Sequence, residues 1–110
     1  MIDWARVDEL RAEIGAEDFG EVVALFLQEA DEVVARLAAG SDPARLEAEL
    51  HFLKGSALNL GLRDLALLCQ DGEKAAAQGL AAGVDPGAVV ACYQASRQVF
   101  ADGLAARMAA

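Results

Sequence analysis

Apolar residues in this chain recur three and four positions apart rather than at every second position, and that spacing predicts five helices. The first is expected over 4–14, where Asp3 can cap it, Val7, Leu10 and Ile14 share a stripe, and Gly15 can end it. The second, over 17–39, carries Phe19, Val23, Phe26, Ala30, Val33 and Leu37 on a heptad-like seam. Leu25 lies about 100° round from Phe26, so it reads as a shoulder of the core, the expectation here, or as part of a docking surface. Gly40-Ser41-Asp42-Pro43 forms a break in which glycine stops one helix, Asp42 caps the next and Pro43 takes the first helical position.

The third helix is expected over 43–60, with Leu46, Leu50, Leu53, Ala57 and Leu60 inward and Gly61 ending or bending it. A fourth, over 63–78, offers Leu65, Leu68, Cys69 and Ala76 to the core, with Gly72 allowing close packing. A loop over 79–84 leads to Asp85-Pro86, a second cap-then-proline start. The fifth helix, over 86–106, turns Val89, Cys92, Tyr93, Ser96, Val99 and Phe100 inward, and 107–110 are expected to fray. Short connections between amphipathic helices imply an all-α fold: an antiparallel up-and-down four-helix bundle with the short N-terminal helix as a lid, in one domain over 1–110.

Composition narrows the function. Alanine supplies much of a 55 % hydrophobic content and aromatics only 5 %, which favours helix over sheet. Eighteen acids against nine bases give a net charge of −9, so the chain should repel nucleic acid and anionic membranes. No signal peptide or membrane-length apolar run is visible, and a cytoplasmic location is expected. Cys69 and Cys92 have neither CxxC spacing nor a histidine close in sequence, so buried free thiols are expected rather than a metal site.

The stretch with chemistry in it is His51-Phe52-Leu53-Lys54-Gly55-Ser56-Ala57-Leu58-Asn59-Leu60-Gly61. His51, the only histidine, lies about 140° from the middle of the inward stripe and should face outward. Ala48 and Ala44, one and two turns before it, and Gly55, one turn after, leave the surface beside the ring flat. Gly55 costs roughly 1 kcal/mol relative to alanine in mid-helix, a cost usually tolerated for close approach of another body. Lys54 can swing back over the ring, where a cation suits an anion carried on the imidazole. Leu58, about 20° from His51, should be exposed beside it as a docking contact. Ser56 points about 140° away and should bond within the fold. Asn59, about 80° round, either faces a partner or is an ordinary residue near a helix end.

This stretch resembles the signature of histidine-containing phosphotransfer (HPt) domains, the helical modules that relay phosphoryl groups in multistep two-component signalling. The resemblance runs over eleven contiguous positions and includes the histidine, the lysine and both glycines. It implies that His51 accepts and donates a phosphoryl group, that Lys54 steadies the phosphorylated ring, and that a polar residue of the next helix orients the imidazole. Gln70 and Glu73, one turn apart, are the two candidates for that last role. The partners implied are response-regulator receiver domains and a hybrid sensor histidine kinase. The chain itself would be a monomer without an intrinsic cofactor, Mg²⁺ being supplied by the receiver. It would be a phosphotransfer intermediate rather than an enzyme, since no glycine-rich phosphate loop is present. Beginning at methionine and ending soon after its last helix, it reads as freestanding.

Two alternatives compete. A docking module that carries no phosphate would be marked by loss of the histidine or lysine, and both are present. The phosphoacceptor helix of a sensor kinase typically follows its histidine with an acid and soon a proline, whereas Phe52 follows here and no proline comes before Pro86. A hydrolase or metal enzyme has neither triad nor closed ligand set to rest on.

Overall fold

The computed structural model describes residues 1–40 and 42–109, leaving Ser41 of the expected break and Ala110 of the expected frayed end outside the described residues. Five α-helices form: α1 (Trp4–Ile14), α2 (Ala16–Gly40), α3 (Pro43–Leu60), α4 (Arg63–Ala77) and α5 (Pro86–Ala109). Helices α1, α3, α4 and α5 start where expected, and α2 starts at Ala16, one residue earlier than expected. The Asp3 carboxylate accepts from the Arg6 amide at 3.2 Å, Asp42 from Ala44 at 3.0 Å, and Asp85 from Ala88 at 3.2 Å.

Helices α2 to α5 pack as a square in which α3 and α5 each touch α2 and α4. Two-residue connections on either side of α3 make consecutive helices antiparallel, and the bundle measures 46 × 21 × 20 Å. The α3 stripe goes inward as a block: Leu50, Leu53 and Leu60 are inaccessible to solvent, and Leu46 and Ala57 nearly so. Its end is set by Gly61, whose φ of +75° is left-handed and whose would-be Cβ would lie 2.6 Å from the Asp3 carbonyl oxygen. The Asp3 amide in turn donates to the Gly61 carbonyl at 2.7 Å, so the chain start is stitched to the end of α3.

Five expectations are corrected. Leu25 is no shoulder of the core: it is exposed, because the neighbours of α2 cover the sides bearing Val23, Ala30, Val34 and Leu37. Val34 is buried outside the expected seam, since a helix facing two neighbours buries a broader stripe than a coiled-coil edge. Val99 is also exposed, lying about 100° round from Phe100, where the buried line Val89, Tyr93, Ser96, Phe100 has passed. Fourth, Ala81–Gly83 of the expected loop forms a turn of 3₁₀ helix. Finally, α5 does not fray at Arg107 but continues to Ala109, because the lid engages it. Trp4 stacks on Phe100 at 6.0 Å, the Arg107 guanidinium lies 4.3 Å from the Trp4 ring, and Arg107 reaches Asp8 at 3.6 Å. No helix is long and apolar enough to cross a membrane among the described residues.

Candidate functional site

His51 stands on the solvent crest of α3, its side chain 68 % exposed, as the helical phase demanded. The ring is nevertheless held. Its Nδ1 lies 2.7 Å from Oε1 of Glu73, on the neighbouring turn of α4. The other oxygen of that carboxylate, shielded from solvent, lies 2.7 Å from Lys54 Nζ. One carboxylate thus bridges the imidazole and the ammonium. Lys54 above all, and then His51, hold the Glu73 carboxyl below its ordinary range and so ionised. An ionised carboxylate can only accept, so a hydrogen shared with His51 sits on Nδ1. In the neutral ring this places the remaining lone pair on Nε2.

Of the two orienting candidates, Glu73 meets the ring. Gln70 is exposed, and no hydrogen bond joins it to His51 among the described residues; it lines a groove beside Lys54 instead. Lys54 pairs with Glu73. Glu49 is taken by Arg36 at 3.2 Å.

The surface around the crest is open where it was expected to be. Ala44 and Ala48 are exposed, and a Cβ on Gly55 would meet nothing within 4 Å. Leu58 is exposed on the α4 side, where it lines an apolar groove of about 360 Å³ with Ala57, Ala66, Leu67 and Gln70. On the α2 side Ala48, Glu49 and Phe52 border a groove of about 580 Å³. Sequence reasoning did not single out Phe52 or Leu67, although both are exposed apolar side chains on these flanks. The signal was available in the same helical phase that placed Leu58. Leu25 is exposed on α2 and lines neither groove. Asn59 turns inward: its amide donates to the Gly55 carbonyl at 3.1 Å and its oxygen accepts from Arg6 of α1 at 3.5 Å. Ser56 is buried.

Both cysteines are free thiols. Cys69 is fully buried one turn before Glu73, and burial pushes its thiol up to about 12, where it is unreactive. Cys92 is half-buried. No group of three metal-ligating side chains occurs among the described residues.

The histidine is thus exposed on a helical bundle, held at one ring nitrogen by a neighbouring helix and open to solvent at the other edge rather than enclosed in a pocket. The family model of the Hpt domain matches residues 21–106, and the chain belongs to that family. Membership means histidine phosphotransfer within two-component systems, in company with response-regulator and kinase components. The match runs from α2 into α5 and contains His51, Lys54, Gln70 and Glu73, while α1 precedes it. No curated protein and no solved structure matches the chain.

Proposed function

We propose that this protein relays a phosphoryl group between aspartates of receiver domains, with His51 as the carrier. The observation that carries the reading is the Glu73 contact at His51 Nδ1, which leaves Nε2 as the nucleophile on an open crest. The Nε2 lone pair attacks the phosphorus of an aspartyl phosphate. The N–P bond forms as the P–O bond to the aspartate breaks, and the carboxylate departs with the electron pair. The ring then bears positive charge, with its Nδ1–H directed at the Glu73 carboxylate, and donation to a second receiver reverses these steps. Little more is asked of the carrier, because phosphoryl transfer depends chiefly on alignment and charge neutralisation.

Lys54 supplies the neutralisation. It is poised on Glu73 and within one helical turn of His51, so it can divide its charge between that carboxylate and the arriving phosphoryl oxygens. Gly55, Ala48 and Ala44 admit the receiver, and Leu58 offers it an apolar contact, with Phe52 and Leu67 beside them. Asn59 supports the crest from within rather than docking, and Leu25 is a peripheral contact. In this reading the protein is a monomeric cytoplasmic intermediate without autokinase activity or nucleotide binding. It is charged ultimately from a hybrid sensor kinase, and the Mg²⁺ comes with the receiver.

The test is incubation of the wild type and His51→Gln with a phosphorylated receiver domain and Mg²⁺. Acid-labile, base-stable phosphate is expected on the wild type alone, with the helical fold of both intact. Uptake by His51→Gln would overturn the assignment, and no uptake by the wild type from several receivers would favour a docking module.

A further inference from the structure

We infer that Gly72 is a positioning residue for the histidine: by presenting no side chain to Leu50, it lets α4 lie close enough to α3 for Glu73 to hold His51 Nδ1. The inference rests on the phosphocarrier reading and deepens it. Leu50 immediately precedes His51, and Gly72 immediately precedes Glu73, so the place where they meet is one residue along each helix from the pair that forms the site. A Cβ on Gly72 would lie 2.9 Å from Leu50 Cδ1 and 3.5 Å from Val84 Cγ1. Carbon atoms do not approach so closely, and the added methyl group would be caught between the two.

Leu50 has little freedom to yield. It is inaccessible to solvent in the middle of the core, where interiors are packed to crystal-like density. Relief therefore comes from α4 moving outward. Glu73 is the next residue on that helix, and its 2.7 Å contact to the ring has no slack: an outward shift of about an ångström takes it beyond hydrogen-bonding range. Glycine is disfavoured in a helix interior, so alanine at this position would favour an unconstrained helix. Its absence is explained by the contact with α3. Gly20, also helical, has nothing within 4 Å of its would-be Cβ, which makes Gly20→Ala the matched control.

The chain has a single histidine, so long-range ¹H–¹⁵N spectra of the unphosphorylated protein report directly which ring nitrogen carries the proton. In the wild type and Gly20→Ala the proton is expected on Nδ1. In Gly72→Ala that signature should give way to a mixture of tautomers, and transfer from a phosphorylated receiver should fall about tenfold. Gly72→Ala/Leu50→Val, which removes a carbon where one was added, should restore both. Unchanged ring signals in a folded Gly72→Ala protein would overturn the inference, and so would a loss that the double variant does not repair. If Gly72→Ala does not fold, the double variant decides: a wild-type ring signature supports positioning, while an altered signature or failure to fold rejects it. The spectra need no phosphate, so a wild type that takes up none would refute the carrier reading and leave this arm readable.

Discussion

Two carboxylates in this bundle are held in nearly the same way, with opposite consequences. On the α3–α4 crest Glu73 bridges Lys54 and the imidazole of His51. On the α2–α5 seam Asp31 is gripped by Arg97 through two bonds of 3.0 Å and accepts from the hydroxyl of Tyr93. Each unit is an acid, a cation and a ring that donates a proton. At the seam, burial works against the Asp31 charge, but Arg97 and Tyr93 outweigh it and hold the carboxyl below its ordinary value. Tyr93 is 2 % exposed, and burial together with Asp31 pushes its hydroxyl far above the range in which it could ionise. That ring has a single polar atom, already used. Imidazole has two, and when one is held at Glu73 the other faces a surface without obstruction. The same arrangement therefore clamps two helices in one place and leaves a ring nitrogen open to solvent in the other, according to whether the ring has a second polar edge there.

The comparison can be broken most forcefully at Glu73. Glu73→Ala should reduce phosphoryl uptake from a receiver on the order of tenfold to a hundredfold, the usual cost of losing an orienting partner. Its effect on thermal unfolding should be small, since all three side chains remain partly in solvent. A rate close to wild type in a stopped transfer assay would show that the crest does not depend on its carboxylate. Tyr93→Phe is the converse. Loss of its hydrogen bond should cost about 1 kcal/mol in urea unfolding, with Arg97 still pairing Asp31 and phosphoryl uptake unchanged. An equal loss of uptake would mean that the seam is part of the site.

The smallest effect concerns acid. Asp31 has a folded value below its ordinary 3.8, so its stabilising contribution is complete above that value and is lost as pH falls through the lowered one. Glu73 behaves in the same sense below its ordinary 4.5. Asp31→Asn should therefore flatten the fall in stability between about pH 5 and pH 2. The difference should stay below about 1 kcal/mol because the pair is partly in solvent. An acid limb as steep as that of the wild type, measured by urea unfolding at a series of pH values, would show that the clamp contributes nothing through its charge.

Much of the architecture was legible in the chain because its causes are local. Asp3, Asp42 and Asp85 announce helix starts within four residues of themselves, and Gly61 needs no partner to favour a left-handed turn. Exposure of Leu25 and Val99 was misjudged because apolar character says nothing about which sides of a helix its neighbours cover. The end of α5 was misjudged for a related reason: Trp4 and Asp8, far away in sequence, hold Arg107.

The site divides along the same line. Sequence by itself determined that this protein has a helix with one histidine on its outer face, a lysine one turn on and a smoothed surface around both, because about 100° per residue carries phase reliably along a single helix. Tertiary structure alone decided which of Gln70 and Glu73 reaches the ring. They stand one turn apart on α4, and the choice depends on how far α4 approaches α3 and how it is rotated there. Those quantities are set by packing between distant residues, Gly72 against Leu50 among them.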